Sequence, residues 1–367
     1  MHLKHYILFA ILGFTVLFLL LPTGTEDIPV SSLKTEIIAH LPDPASNNAV
    51  AKATLGGEVY LFSFSGLGMG KTRTDIHARA YAVNVTEQWA RDLPSLPGGK
   101  NRLASVAVTA GNTIYLFGGY TVAGDGDEIS TPEVFAYDPI QRTYTEMSPI
   151  PVPVDDSVAL LYQDRYIYLV SGWHDSANVA DVQVFDTAED RWFVATPYPG
   201  APVFGHAGGI VGNRMIIADG VKVLDGVVGA ARFATSDEVY LGTIDETDPA
   251  VIVWQAIRAH PGNPLYRMAA TGFLSRNLVV FAGGSANPYN YNGIGYDDIP
   301  SKPSASVFGY DLRHGRWRLY GEKLFATMDH RGLLEVNGRF YTLGGMVEGQ
   351  EVSDVVSWFE LTGGGKE

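Results

Sequence analysis

The sequence TIYLFGG, residues 113–119, is one copy of a pattern that recurs along the chain. An apolar run ending in two small residues returns at EVYLFSFSG (58–66), YIYLVSG (166–172), RMIIADG (214–220), LVVFAGG (278–284) and RFYTLGG (339–345). A turn containing Gly, Asn or Asp precedes each run, as expected between two strands. The pattern therefore predicts six copies of one supersecondary unit, spaced roughly 50 to 60 residues apart.

Each of the first five runs is followed by a second apolar strand and then by an aromatic residue. The second strands read RAYAVNV, EVFAYDP, DVQVFDT, EVYLGTI and SVFGYDL, and the aromatic residues are Trp89, Tyr144, Trp192, Trp254 and Trp317. One unit therefore holds four strands, which we name a, b, c and d in chain order. A single sheet of this kind cannot bury both faces, so we expect an all-β fold whose copies pack radially around an axis.

The repeated unit resembles the kelch repeat, and six copies predict a six-bladed kelch-type β-propeller in one domain, residues 36–361. The sixth unit ends after VVSWFEL (355–361) and lacks a strand d of its own. The segment LKTEIIAHLPDP (33–44), before the first unit, has the pattern of a strand d. We therefore expect this N-terminal strand to complete the last blade, which closes the propeller and leaves no open sheet edge between its ends.

The N-terminus carries an apolar segment that stands apart from the repeats. In MHLKHYILFAILGFTVLFLLLPTGTED (1–27), Lys4 precedes an apolar run over residues 7–21. This run is shorter than the roughly 20 residues of a membrane span and is typical of a signal peptide. The sequence thus predicts a signal peptide or signal anchor at 1–24. We expect an exported or periplasmic protein, and both cleavage and anchoring in the inner membrane are open.

Composition excludes several classes of function. The net charge of −14 and the lack of a basic stripe argue against nucleic acid as a partner. The chain contains no Cys, so no disulfide contributes to its stability. Its histidines show no spacing typical of metal ligands, and we expect neither a metal nor another cofactor.

The connections from strand b to strand c are longest in the fourth and fifth units. In the fifth unit this loop contains NPYNYNGIGY, residues 287–296. Long loops on a rigid scaffold usually serve binding. The side chains of Tyr289, Asn290 and Tyr291 offer amide groups and aromatic faces, which suit a sugar. A loop that packs on itself and shields the blade is the alternative interpretation.

Polar residues lead into strand a of each unit, on the same face as the b–c loops. The candidates for substrate binding here are Asn48, Arg102, Asp156, Arg267, His330 and Arg331. We expect Arg102, Arg267 and Arg331 to converge, because three guanidinium groups on a ring would suit a carboxylate. The alternative is that these side chains are solvated or pair with one another.

Longer stretches resemble a particular group of kelch proteins, the bacterial N-acetylneuraminate epimerases, or sialic acid mutarotases. These stretches are NNAVAKA (47–53), GGKNRLASVAV (98–108), GHAGGIV (205–211), the segment that begins FAGGSANPYNYN (281–292), and GGMVEGQEVSDVV (344–356). The resemblance implies export, six blades, and an isomerase of carbohydrate metabolism that exchanges the α and β anomers of an acidic sugar.

The resemblance also implies an acid and a base near the sugar's ring oxygen and anomeric hydroxyl. The group's proposed pair is a Glu directly after the fourth glycine and an Arg several residues later. Here Val221 follows Gly220, so His206 or Asp219 would carry the proton, with Arg232 as the basic partner. Two functions follow: a mutarotase for an acidic sugar such as N-acetylneuraminate, or a non-catalytic propeller that binds a glycan or a protein.

Overall fold

The computed structural model describes residues 32–229 and 232–361, which belong to one compact unit of the chain. Their regular structure consists of antiparallel strands and a few three-residue 3₁₀ turns, so the predicted all-β class is confirmed. None of the described residues forms a helix long and apolar enough to cross a membrane. The apolar segment predicted at 1–24 lies outside the described residues.

Six four-stranded antiparallel sheets account for most of the strands, and we number the sheets in chain order. Sheet 1 contains β2 (Ala49–Leu55), β3 (Glu58–Leu67), β4 (Ile76–Asn84) and β5 (Trp89–Leu93). Sheet 2 contains β6 (Val106–Ala110), β7 (Thr113–Phe117), β10 (Val134–Asp138) and β11 (Thr143–Met147). Sheet 3 contains β12 (Val158–Tyr162), β13 (Tyr166–Val170), β16 (Val182–Asp186) and β17 (Arg191–Ala195).

The other three sheets follow the same order from the innermost strand outwards. Sheet 4 contains β19 (Ala207–Val211), β20 (Arg214–Ala218), β23 (Val239–Ile244) and β24 (Ile252–Ile257). Sheet 5 contains β25 (Ala269–Phe273), β26 (Leu278–Ala282), β27 (Ser304–Asp311) and β28 (Arg316–Thr327). Sheet 6 contains β29 (Leu334–Val336), β30 (Arg339–Leu343), β31 (Val355–Glu360) and, as its outer strand, β1 (Thr35–His40).

Three small sheets lie outside these six, mostly in the b–c loops. They are β8 (Tyr120–Val122) with β9 (Glu128–Ser130), β14 (Trp173–His174) with β15 (Ala177–Asn178), and β18 (Val203–Phe204) with β21 (Val221–Val223) and β22 (Phe233–Thr235). Short 3₁₀ turns include Arg73–Asp75, Pro97–Gly99, Leu274–Arg276 and Glu348–Gln350. The loop face of the molecule therefore has secondary structure of its own.

The N-terminal strand lies at the outer edge of sheet 6. Strand β1 pairs antiparallel with β31, with Thr35 opposite Phe359 and His40 opposite Val355. The first and last described strands thus belong to one sheet, which ties the two ends of the repeat together. This pairing also covers the edge of β31, which would otherwise present a row of unpaired backbone groups.

The six innermost strands form a closed ring. Each innermost strand contacts the next one in the order β2, β6, β12, β19, β25 and β29, and β29 in turn contacts β2. Apolar side chains fill the space between neighbouring sheets. Trp192 of sheet 3, for example, packs edge-on against Phe117 of sheet 2 at 5.9 Å, and its indole N–H donates to Ser148 O at 2.9 Å. The repeated aromatic residue of strand d therefore stabilises the contact between two sheets.

Backbone hydrogen bonds close a second, tighter ring just before the innermost strands. One residue per sheet adopts left-handed φ there: Asn47, Ala104, Asp156, Gly205, Arg267 and Asp329. Their backbone groups join successive sheets at 2.7–3.3 Å, with Asn47 N–H donating to Asp329 O and, at the last step, His330 N–H donating to Arg267 O. We call these six residues the backbone ring. It satisfies polar groups that would otherwise be buried without partners.

We predict that Gly205→Ala destabilises the protein much more than Gly212→Ala. Both glycines have φ near 60°, which disfavours an L side chain, but only a methyl at Gly205 would overlap the ring of Tyr266, while nothing lies near Gly212. Gly212→Ala should cost about 1–2 kcal/mol for the backbone alone. Gly205→Ala should cost about 3 kcal/mol or more, because overpacking adds to the backbone cost. Urea unfolding measures both, and equal losses would refute the tight packing of the ring.

Candidate functional site

Four charged side chains meet at the backbone ring and neutralise one another. Arg267 Nη2 donates to Asp156 Oδ2 at 2.6 Å, and its Nη1 donates to Asp329 Oδ1 at 3.0 Å. Arg331 Nη2 lies 2.7 Å from Asp156 Oδ1 and also donates to the side chain of Asn47. All four charged side chains are almost completely buried. We call these four the charge cluster; its two cations and two anions balance.

Within the charge cluster, neighbouring opposite charges shift the pKa values of Asp156 and Arg267 so that both side chains stay ionised and paired. Burial opposes ionisation of Asp156, but Arg267 and Arg331 outweigh burial and hold the pKa of Asp156 below its usual range. Burial likewise opposes the charge of Arg267, and Asp156 and Asp329 raise the pKa of Arg267 well above its ordinary value. Tyr266 and Tyr289 flank the Arg267 guanidinium at 4.6 and 5.2 Å. Both Nη groups of Arg267 therefore already donate to carboxylates of the protein.

Arg102 does not join this cluster. Its Nη1 donates to Gly118 O at 3.1 Å, its Nη2 lies 3.5 Å from Glu133 Oε2, and its guanidinium stands over the ring of Phe135. Burial lowers the pKa of Arg102 to about 10. Arg102, Arg267 and Arg331 therefore do not converge as expected. The reason is their position along the chain. Arg102 lies two residues before the backbone-ring residue Ala104, whereas Arg267 is itself a backbone-ring residue.

The residue directly after each backbone-ring residue mostly makes contacts within and between sheets. Asn48 Nδ2 donates to Ser63 Oγ at 2.8 Å, and His330 Nε2 lies 2.6 Å from Thr327 Oγ1. Burial lowers the pKa of His206 to about 4, against the opposing effect of the Val170 carbonyl. Burial, Lys323 and Arg331 lower the pKa of His330 to about 3. Both histidines are therefore neutral near pH 7.

The two other residues predicted to act in catalysis lie apart from the charge cluster. Asp219 Oδ2 accepts from Leu265 N–H at 2.6 Å and lies 2.8 Å from His260 Nε2. Burial raises the pKa of Asp219, while His260 opposes this. Asp219 therefore anchors the segment that leads into sheet 5 through Oδ2, whereas its buried Oδ1 has no hydrogen-bond partner. Arg232 Nη2 donates to Ser176 O at 2.9 Å and stands on the loop face, over the ring of Phe233.

A central channel of about 1110 Å³ runs along the innermost strands. At the backbone ring it meets Asp156, His206, His330 and Arg331. Its wall is made of small and apolar residues of the six strands a, such as Ala51, Ala107, Ala159, Ala207 and Ala270. At the other end it reaches the a–b turns at 111–112, 274–275 and 337–338, on the face opposite the long loops. The backbone ring and charge cluster separate this channel from the loop face.

The long loop of sheet 5 packs on itself. Backbone bridges join Tyr289 to Gly295 and Ile294 to Pro300, and Ser301 Oγ donates to Asn287 O at 2.9 Å. Tyr289 is fully buried against Tyr266, with ring centroids 5.1 Å apart. Asn290 is exposed, with its Nδ2 directed at Ile294 O, and Tyr291 is half-buried. The structure thus agrees with the alternative interpretation, in which this loop packs on itself and shields the blade.

Aromatic residues from several b–c loops and strand-a approaches cover the backbone ring on the loop face. The buried members of this aromatic cap are Tyr120, Phe204, Tyr266 and Tyr289, and the half-buried members include Trp173, Phe233 and Tyr296. Phe233 stacks on Tyr296 at 4.3 Å, and Trp173 contacts both Phe204 and Phe233. The cap covers the charge cluster on the loop face, so a ligand of sugar size cannot reach the cluster from that side.

A hollow of about 670 Å³ opens beside the aromatic cap, between the β8–β9 and β14–β15 hairpins. We call it the loop-face hollow; its lining is Gly126, Asp127, Glu128, Ile129, Trp173 and Asp175. Burial raises the pKa of Glu128, with Arg267 opposing and Asp156 adding to this effect. Sequence reasoning missed these residues because the second unit has a connection of ordinary length. The acidic, glycine-rich run AGDGDE (123–128) was the available signal.

Within residues 32–229 and 232–361, no three His, Asp or Glu side chains are placed to hold a metal ion. The chemistry available in the loop-face hollow is that of carboxyl groups beside one indole ring, that of Trp173. Carboxylates accept hydrogen bonds from hydroxyl groups, and the protonated form can also donate one.

Comparison with known proteins finds that this chain is similar to kelch-type proteins. No family model matches it. Kelch-like protein 15 of Gallus gallus is 32% identical over 171 residues, which is 46% of this chain and 33% of that protein. Kelch-like protein 15 of Homo sapiens is 24% identical over 274 residues, 74% of this chain and 42% of that protein. The matches therefore span less than half of the length of these relatives.

Two further similarities agree with this fold. Kelch domain-containing protein 3 of Homo sapiens is 22% identical over 203 residues, 51% of this chain and 50% of that protein. The solved structure of YjhT has a TM-score of 0.67 with this one at 17% identity, over 86% of this chain and 95% of YjhT. The prediction of a kelch-type β-propeller is confirmed at the level of fold.

We predict that stability falls between about pH 7 and pH 5 because His206 and His330 are buried in neutral form. Their folded pKa values lie below the unfolded value, so the unfolded state binds more protons and stability decreases as the pH falls. Each histidine should contribute about 2 kcal/mol to this decrease. In urea unfolding, His206→Gln and His330→Gln should each reduce the decrease, and the double variant should reduce it additively. An unchanged pH dependence in the double variant would contradict the burial of neutral imidazole.

Proposed function

We propose that the six sheets are the blades of one kelch propeller and that this propeller binds a sugar in the loop-face hollow. The observation that carries the proposal is the presence of Trp173 and three carboxyl groups, of Asp127, Glu128 and Asp175, in one concavity of about 670 Å³. That volume is in the range of small-ligand pockets. An indole offers an apolar face for the C–H face of a sugar ring, and carboxylates accept hydrogen bonds from its hydroxyl groups.

The charges around the hollow favour a neutral sugar or an amino sugar over an acidic one. Three carboxyl groups line it, whereas Arg267 and Arg331 are buried and paired with Asp156 and Asp329. A ligand carboxylate would have to displace these pairs, and breaking a buried ion pair costs about 3–5 kcal/mol. A hydroxyl or ammonium group meets no such cost at the hollow.

A second candidate is an exported or periplasmic mutarotase, or epimerase, for an acidic sugar such as N-acetylneuraminate, with its N-terminal segment as a signal or inner-membrane anchor. Arg232 is the observation that favours it, because its guanidinium reaches Ser176 O at the edge of the β14–β15 hairpin, where Trp173 and Asp175 line the hollow. A cation at that position would pair with a sugar carboxylate.

Protein binding through the loop face is the other form of a non-catalytic propeller. Met69, Ile129, Val228 and Ile299 are exposed apolar residues that come from four different b–c loops. A contiguous patch of such apolar side chains would mark an interaction surface. A protein partner would then use the loops around the hollow, and a sugar would fail to bind inside it.

We predict that N-acetylglucosamine or glucosamine binds the soluble domain and that Trp173→Ala abolishes this binding. Loss of the indole removes the apolar face, so saturation-transfer signals of the sugar should disappear. Trp89→Ala is the matched control, because Trp89 is also half-buried but lies on the outer strand of sheet 1. Asp127→Asn should weaken binding without changing the packing of the aromatic cap.

Three results are informative in this experiment. Binding of N-acetylneuraminate, lost in Arg232→Ala, would support the second candidate in place of the first. Binding that survives both Trp173→Ala and Asp127→Asn would place the sugar outside the hollow and refute the site. Failure of all three sugars to bind would refute sugar binding and leave the protein-binding propeller.

A further inference from the structure

We propose that the central channel is a second binding site, which takes a small, uncharged, open-chain polyol through His206 and Arg331. The channel opens on the face of the a–b turns and is closed at its other end by the backbone ring. We call this closed end the channel floor; its lining is Asp156, His206, His330 and Arg331. The inference goes beyond the proposed sugar binding and does not depend on it, because the loop-face hollow lies on the opposite face.

His206 is a buried imidazole that lines the channel floor without a hydrogen-bond partner. Only 4% of the residue is exposed, and neither Nδ1 nor Nε2 forms a hydrogen bond with another described residue. The nearby Val170 carbonyl accepts from Ser157 Oγ at 3.1 Å and does not have hydrogen-bond geometry with either ring nitrogen. An unpaired buried polar group costs folding free energy. The imidazole of His206 is therefore free to bond a ligand that both donates and accepts.

The backbone ring leaves space on the axis beside His206. Its members in sheets 2 and 4 are Ala104 and Gly205, which add at most a methyl group to that space. His206 follows Gly205 directly, and Arg331 reaches the same floor from sheet 6. The Nη1 of Arg331 donates to His330 O, and its Nη2 pairs with Asp156, whereas its buried Nε has no partner. The floor therefore offers a second unpaired donor.

The charges that line the channel balance one another and favour an uncharged ligand. Lys52 pairs with Glu335 at 3.9 Å, and Arg331 pairs with Asp156 at 2.7 Å. These four are the charged residues of the lining. Burial lowers the pKa of both histidines at the floor, so both are neutral near pH 7. An ionic ligand would find no unpaired opposite charge in the channel, whereas a hydroxyl group needs none.

The wall of the channel favours a ligand with several hydrogen-bonding groups. Each innermost strand pairs with strand b on one side only, so its other edge directs backbone N–H and C=O groups into the channel. Some of these groups have partners: Leu333 N–H donates to Ala270 O at 3.1 Å, and Thr109 Oγ1 donates to Lys52 O at 2.6 Å. An apolar ligand would displace water from the other edge groups without replacing its hydrogen bonds.

The lining also distinguishes an open-chain polyol from a closed sugar ring. Phe273 is the one aromatic residue among the described residues that line the channel, and it packs edge-on against Phe340 at 5.2 Å. The channel therefore lacks an aromatic face for a sugar ring. The hydroxyl groups of an open chain each donate and accept, and they can rotate to suit either an N–H or a C=O. The methyl groups of Ala51 and Ala159 offer contacts for its carbon atoms.

We predict that xylitol binds the full chain with a dissociation constant on the order of 1–10 mM, as expected for a small ligand held by a few hydrogen bonds. Saturation-transfer NMR of xylitol measures this binding. His206→Phe should weaken it by about tenfold or more, because two hydrogen bonds are lost while the ring shape is kept. His206→Gln, which retains a donor and an acceptor, should keep part of the affinity.

His314→Phe is the matched control, because His314 is exposed in the turn between strands c and d of sheet 5 and does not line the channel. Xylitol binding should also survive Trp173→Ala, since Trp173 lines the hollow on the opposite face. Loss of xylitol binding in Trp173→Ala would place the polyol in the hollow and overturn this inference. N-acetylglucosamine tests the proposed function separately on the same samples.

Other results would overturn the inference as well. One is the absence of saturable xylitol binding, and another is equal binding by the wild type and His206→Phe. Binding of N-methylacetamide in place of xylitol would overturn the choice of a polyol as the ligand, because an amide also donates and accepts.

We predict that His206→Phe leaves the urea midpoint of unfolding at pH 7 unchanged or higher, whereas His330→Phe lowers it. Phenylalanine at 206 removes a polar group that has no partner to lose. Phenylalanine at 330 removes the partner of Thr327 Oγ1, which lies 2.6 Å from His330 Nε2. A lower midpoint in His206→Phe would mean that the imidazole makes a structural hydrogen bond, and it would overturn the assignment of His206 to a ligand.

Discussion

The backbone ring is the constraint on which the rest of the molecule depends. Six chain passes turn from an outer strand into an innermost strand within a small circle, and each does so through one residue with left-handed φ. Such a residue is strained unless it is glycine, asparagine or aspartate, and two of the six, Ala104 and Arg267, are none of these. Hydrogen bonds from each sheet to the next offset that strain and hold the six sheets together where side chains have least room.

This ring also determines which charges meet. A side chain on a backbone-ring residue projects among its five counterparts, so Asp156, Arg267 and Asp329 come together although more than 50 residues separate each from the next. Buried ion pairs are weak evidence for stability, because desolvation offsets most of their attraction. Their consequence here is functional. With the arginines paired and the aromatic cap above them, Arg267 and Arg331 are not available to a ligand that approaches from the loop face.

The loop-face hollow lies between two short hairpins of the loop face. The β8–β9 and β14–β15 hairpins stand next to each other because sheets 2 and 3 are neighbours, and Ser130 joins them through Asp155 and Asp175. An indole on one hairpin and a carboxyl on the other then face one space. A rigid propeller supplies fixed positions for such loops, and the loops supply the chemistry.

The amino-acid sequence by itself determined the repeat and the all-β class. It also determined that the strand at 35–40, which lies before the first unit, completes the last sheet. These features could be predicted because glycine positions and strand alternation are local properties of the chain. The sequence also placed His206, Asp219 and Tyr289 among polar or aromatic candidates without indicating that all three are buried, with Asp219 and Tyr289 held in structural contacts. Only the tertiary structure decided which of these residues meet. Arg102 and Arg267 occupy different positions relative to the backbone ring, and Glu128 gains its neighbours from other sheets, because each contact joins repeats that the sequence lists far apart.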